Sequence, residues 1–223
     1  MTKTIQFTFL FFFFCGLIQA QVSNSSPNII FIAVDDLKPT IGAFGDDLAR
    51  TPNIDLLAEN GTVFLNNHTQ QAVCGPARAS LMTGKRPDYT KVRDLKTKMR
   101  DMVPDIVTIP QFFRDNGYTT VGLGKIFDPR CVDQFRDKPS WSIPYMPEHK
   151  FDYPSDYGPP AMGFYQDPKI KAHIKELRNE AKANGVKNLG KYLRDTFKPP
   201  FEKTDAPDDA YVDGALAIYA NKF

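Results

Sequence analysis

Residues 29–34, Ile-Ile-Phe-Ile-Ala-Val, are apolar without a break. The run is too short for a buried helix and lacks the alternation of a half-exposed strand, so residues 28–34 are predicted to form a central parallel strand covered on both faces. The pattern then changes period. Thr51 offers a capping hydroxyl ahead of Pro52, Ile54, Leu57 and Ala58 recur at helical spacing, and Gly61 closes the helix before a second strand over 62–65. The same unit repeats: Thr108 and Pro110 open a helix expected to bury Ile109, Phe112 and Phe113, Gly117 ends it, and residues 118–123 supply a further strand. Strands alternating with helices predict an α/β fold. From 128 to 168 periodicity fades into Pro, Tyr, Asp and Trp, as in a long ordered loop or substrate-facing insertion. Residues 169–184 predict a charged surface helix with Ile170, Ile174 and Leu177 on its apolar stripe. A last helix is expected from near Asp208, still running at Phe223.

The amino-terminal segment has a different pattern. Lys3 precedes an apolar stretch from Phe9 to Ile18, and Ala20 stands before polar residues. This is the layout of a cleaved secretory signal over 1–20, which places the mature chain outside the cytoplasm, secreted or periplasmic. The stretch is short of the roughly 20 residues a membrane span needs, so no stable membrane insertion is expected. Phe13 and Phe14 before Cys15 argue against lipid attachment there.

The 223 residues carry 28 Lys and Arg against 26 Asp and Glu, a balance that implies no bulk attraction to nucleic acid. Loss of Cys15 with the signal leaves Cys74 and Cys131, which in an oxidising compartment could pair. The residues around Cys74 point elsewhere.

Cys74-Gly75-Pro76-Ala77-Arg78-Ala79-Ser80-Leu81-Met82-Thr83-Gly84-Lys85-Arg86 is the most informative segment. Pro76 and Gly84 bracket a helix whose amino terminus lies at Cys74, where unpaired N–H groups and the helix dipole favour an anion. Arg78 stands about one turn in, with a guanidinium suited to a tetrahedral oxyanion. A phosphatase loop of the cysteine type needs arginine six positions after the cysteine, and Ser80 stands there. Asp35 and Asp36 follow the first strand at the end where open α/β sheets bind ligands. Adjacent carboxylates repel each other unless a cation intervenes, and oxygen donors suit Ca²⁺ or Mg²⁺. Lys125, in Gly122-Leu123-Gly124-Lys125, falls at another strand end. His68, His149 and His173 are scattered without ligand spacing.

The extended Cys-x-Pro-x-Arg segment resembles the signature of the type I, formylglycine-dependent sulfatases. The run 28–37, Thr51-Pro52-Asn53-Ile54-Asp55, Arg86-Pro87-Asp88, Ile109-Pro110-Gln111-Phe112-Phe113, Gly117-Tyr118 and Ser140-Trp141-Ser142 are similar to the iduronate-2-sulfatase-like branch. The resemblance implies an alkaline-phosphatase-like sandwich, a mainly parallel central sheet flanked by helices, with residues 27–223 as the amino-terminal part of a longer catalytic domain. It implies that Cys74 is converted to formylglycine by a formylglycine-generating enzyme. It further implies that Asp35, Asp36 and residue 74 hold Ca²⁺, and that Arg78 and Lys125 contact the sulfate of a sulfated carbohydrate. Asp128 stands where that family usually has a histidine. Two other readings share these residues: a phosphonate or phosphodiester hydrolase of the same superfamily, and a non-catalytic binder of sulfated glycans.

Overall fold

The structure, a computed structural model, describes residues 26–223, so the expected signal segment 1–20 and Cys15 lie outside the described residues. The chain divides into two units, residues up to Val34 and Asp35–Phe223. Within the second unit the helices are α1 (Pro52–Glu59), α2 (Cys74–Thr83), the single turns α3 (Pro87–Thr90) and α4 (Met99–Met102), α5 (Ile109–Asp115), α6 (Pro168–Ala183), α7 (Leu189–Thr196) and α8 (Val212–Ala220).

Local sequence accounts for most boundaries. Gly84 ends α2 in the left-handed conformation, φ 64°, and returns its N–H to Ser80 O at 2.9 Å. Thr108 caps α5 by accepting from Gln111 N at 3.2 Å, and Asp167 caps α6 by accepting from Lys169 and Ile170. Thr51 departs from its expected role. Its hydroxyl bonds Asp55 and accepts from Gly42 N rather than capping α1. Nor does α8 run to Phe223, because Asn221 caps it after Ala220. Helix α7, not expected from the sequence, presents Leu189, Tyr192 and Leu193 at helical spacing, and Asn188 caps it by accepting from Lys191 N.

Two cores hold the second unit. The first joins Ala79 and Met82 of α2 to Val92, Met99, Ile106, Phe127, Cys131 and Val132. Trp141 packs beside it, its indole N–H on Arg136 O at 2.7 Å and its ring against Gly122, where any Cβ would collide. The second joins Tyr165, Ile174 of α6 and Leu193 of α7, with Ile170 and Leu177 partly buried, as the apolar stripe predicts. The 128–168 segment is irregular apart from short 3₁₀ turns at Lys138–Ser140 and Glu148–Lys150 and single bridges, Leu123 with Met146 and Ala161 with Tyr165.

The expected sheet is absent among the described residues. Runs 28–34, 62–65 and 118–123 form no ladder beyond the bridge at Leu123. A strand's backbone groups are satisfied only by a neighbouring strand, and without one its apolar side chains stay in solvent: Ile30 is 84% exposed and Phe64 73%. The expected buried faces of α1 and α5 are open for the same reason. Ile54, Leu57, Ile109 and Phe112 are exposed, and Phe113 is half-buried. Among the described residues no helix is long and apolar enough to cross a membrane.

Candidate active site

Cys74 opens α2, and its position is set by the tightness of the residue after it. A Cβ on Gly75 would lie 2.6 Å from both Asp94 O and Cys131 Sγ, so only glycine lets the helix start rest on the Asp94 carbonyl. Pro76 is tolerated in the first turn because its missing N–H has no helical acceptor there. Val73, the residue before α2, offers no capping side chain, and the helix dipole favours negative charge at this end.

Three segments, residues 35–36, α2 and residues 125–126, converge on this point. Arg78, only 6% exposed, reaches from one turn inside α2 to Asp35 Oδ1 at 2.7 Å, to Ile126 O at 3.1 Å and to Lys125 O. Lys125 Nζ bonds Asp35 Oδ2 and lies 3.5 Å from Cys74 Sγ, which in turn is 3.9 Å from Asp35 Oδ1. Lys125 is delivered by Gly124, which adopts φ 60°, lies against Leu216 of α8 and has its carbonyl held by the Tyr145 hydroxyl. Asp36 also adopts a left-handed backbone, φ 49°. Donor atoms of Asp35, Asp36 and Cys74 lie within 4.8 Å of one another. All five residues predicted from the sequence are therefore in one place, although Arg78 spends its guanidinium on Asp35 and the 125–126 carbonyls. It shapes the site as much as it faces it.

The electrostatics follow from these contacts. Burial opposes ionisation of Asp35, but the bonds from Lys125 and Arg78 outweigh it and hold its carboxyl below the usual range. Burial likewise disfavours the Lys125 ammonium, and the Asp35 carboxylate overrides this and raises its pKa. The pair is thus charged at neutral pH, with a cationic group beside the residue 74 side chain.

Asp128 does not take the place of a proton-handling histidine. Its side chain is fully buried, receives Arg130 Nε at 2.9 Å and Nη2 at 2.7 Å, and has its pKa lowered chiefly by that pairing. The pairing favours the ionised carboxylate, and the Asp-x-Arg spacing is the sequence signal for it. Cys131 and Cys74 are both free rather than paired. Cys131 is 2% exposed, donates to Asp94 O at 3.4 Å, and burial pushes its pKa up to about 11. The three histidines are exposed and stand apart from the site. Asp94, whose carbonyl supports both Gly75 and Cys131, carried no sequence signal, since its part is played by backbone.

The sulfatase family model matches residues 27–218. The chain belongs to the sulfatase family. It is 42% identical over 131 residues to the iduronate 2-sulfatase of Homo sapiens, covering 59% of this chain and 24% of that protein. It is 36% identical over 176 residues to the Mus musculus iduronate 2-sulfatase, covering 77% and 32%. With the choline-sulfatase of Rhizobium meliloti the identity is 31% over 140 residues, covering 61% and 25%. The chain thus spans about a quarter to a third of the length of these relatives.

Proposed function

We propose that the site hydrolyses sulfate esters, with a sulfated sugar as substrate and Cys74, matured to formylglycine by a formylglycine-generating enzyme, as the reacting residue. The observation that carries this reading is the convergence of Asp35, Asp36, Cys74, Arg78 and Lys125 from three separated segments at the start of α2. Similarity to iduronate 2-sulfatases supports the choice of a sulfated sugar. The proposed fold is the family's mainly parallel sheet, for which the exposed apolar runs 28–34, 62–65 and 118–123 are the strand candidates. A secreted or periplasmic location goes with it.

The residues present fit a calcium ion. Asp35 and Asp36 offer hard oxygen donors beside residue 74, and the thiol, a poor ligand for Ca²⁺, is the one atom that maturation would replace by oxygen. Formylglycine, as its hydrate, would supply an oxygen nucleophile that can later release sulfate without a separate hydrolysis, and calcium would supply Lewis acidity. The chain's own residues do the rest. Lys125 brings a positive charge within 3.5 Å of the residue 74 side-chain atom and is placed to pair with a sulfate oxygen there. The dipole at the start of α2 favours the same anion. Arg78 fixes Lys125 by its carbonyl and Asp35 by its carboxylate, so the geometry between them survives substrate entry.

Turnover of an aryl sulfate, a sulfated disaccharide and an aryl phosphodiester by protein matured with the modifying enzyme tests the proposal. Preference for the sulfate esters, lost in Lys125→Met, is expected. Preference for the phosphodiester would overturn the sulfatase reading in favour of the phosphodiesterase one.

A further inference from the structure

Two arginines stand near residue 74, and they differ in what their guanidinium groups have left to offer. Arg78 is buried, and Asp35 with the Lys125 and Ile126 carbonyls takes up its donors. Arg130 keeps 53% of its side chain exposed, whereas the side chain of its partner Asp128 has no exposure at all. The carboxylate occupies one edge of the guanidinium, with Nε on Oδ1 at 2.9 Å and Nη2 on Oδ2 at 2.7 Å, and Oδ1 also accepts from Arg130 N at 3.0 Å. The other edge is unused. Among the described residues Nη1 has no hydrogen-bond partner, and with the outer hydrogen of Nη2 it makes a second fork. A fork of this shape fits two oxygens of a tetrahedral anion.

The chain carries that fork to the reacting end of α2. Asp128 follows Lys125 by three positions, Cys131 N donates to Asp128 O at 3.0 Å, and Cys131 Sγ lies 2.6 Å from where a Cβ on Gly75 would stand. Arg130 is therefore held between the lysine of the site and the neighbour of Cys74. Electrostatics agree with this placement. The Asp128 carboxylate is the main group raising the Arg130 pKa, and charge on Cys131 and Cys74 adds to it. Arg130 in turn is the main group lowering the pKa of Asp128, with a further contribution from Lys125.

We propose that Arg130 is a substrate-binding residue, its Nη1–Nη2 edge holding oxygens of the sulfate at residue 74, and that Asp128 is the residue that positions it. The identity of the anion rests on the sulfatase reading. With Arg78 committed to Asp35, Lys125 and Arg130 are the two cations that meet the sulfate. The clamp on a buried carboxylate orders the guanidinium before the anion arrives, so binding does not bear that entropy. A guanidinium stays protonated at every working pH, so the contact adds no limb to a pH profile.

The test is the affinity of the full, unmatured chain for inorganic sulfate in calcium-containing buffer, read as protection of the Cys74 thiol from iodoacetamide. Cys131, being buried, reports only unfolded protein in the same assay. Arg130→Met is expected to weaken sulfate about tenfold, and Arg130→Lys to recover only part of this, because an ammonium cannot fork. Asp128→Asn leaves the charge and releases the clamp, and is expected to weaken sulfate about threefold. A role confined to neutralising Asp128 would instead lower the melting temperature of Arg130→Met and leave the sulfate affinity of its folded fraction at the parent value. That result overturns the inference, as does a parent chain whose Cys74 sulfate does not protect. Failure of the sulfatase reading is seen separately, as no turnover of any sulfate ester by matured protein, which the protection assay does not require.

Discussion

Gly75→Ala perturbs the site without touching a charged or reacting group. The added methyl carbon would stand 2.6 Å from Asp94 O and 2.6 Å from Cys131 Sγ, where Cβ atoms essentially never come within 3.0 Å of another heavy atom. Neither neighbour yields readily. Asp94 O is backbone in a turn fixed by its own carboxylate, and Cys131 is buried among Val92, Met99 and Val132. Overpacking of this kind costs about 1–3 kcal/mol, which for a chain of this size lowers the melting temperature by about 2–4 °C per kcal/mol. Thermal melts followed by circular dichroism measure it. Because one of the two collisions is with sulfur, Gly75→Ala in a Cys131→Ala background should cost less than in the parent, with a coupling of about 0.5–1 kcal/mol. A Gly75→Ala protein that melts with the parent would refute the claim that α2 rests on the Asp94 carbonyl.

The other consequences concern charge and protonation. Arg78→Lys cannot reproduce the fork that spans Asp35, Ile126 O and Lys125 O, and is expected to cost about 1–3 kcal/mol in urea unfolding. The Cys131 thiol is protonated in the folded protein up to about pH 11 and ionises earlier when unfolded, so its stabilising effect is complete below about pH 9 and is lost as pH rises toward 11. Cys131→Ser should flatten that alkaline limb, and iodoacetamide at pH 8 should label Cys131 only in denaturant. Asp128 has the opposite sign: with its pKa depressed by Arg130, its contribution is present above the ordinary carboxylate range and is lost as pH falls through the lowered value. Asp128→Asn should therefore remove part of the acid dependence of unfolding, and, since this carboxylate gives no proton to substrate, should leave the pH profile of turnover in place.

Local chemistry made much of the site legible. Gly84 stops α2 because the left-handed turn needs it, Thr108 caps α5 with its hydroxyl, and the Asp35-Asp36 pair lies beside Cys74, with donor atoms of the three within 4.8 Å of one another. The fate of the strands was not legible, because pairing is a property of two segments and sequence pattern reports one. Residues 28–34 read as a buried strand and are exposed here. The direction of Arg78 was equally hidden, since its partners are carbonyls some 47 and 48 residues away. Asp128 stands where the resembling family has a histidine, and its pairing with Arg130 depends on the burial of the carboxylate, which sequence does not report.

The most direct test of the central claim is the mass of the peptide containing residue 74, taken from protein secreted by a host that carries the formylglycine-generating enzyme and treated with a hydrazide to trap aldehydes. The account predicts loss of the thiol mass, the mass of an aldehyde in its place, and quantitative hydrazone formation at position 74 alone. An intact Cys74 thiol in that protein would contradict it and leave the convergent charges as a binding site without a nucleophile.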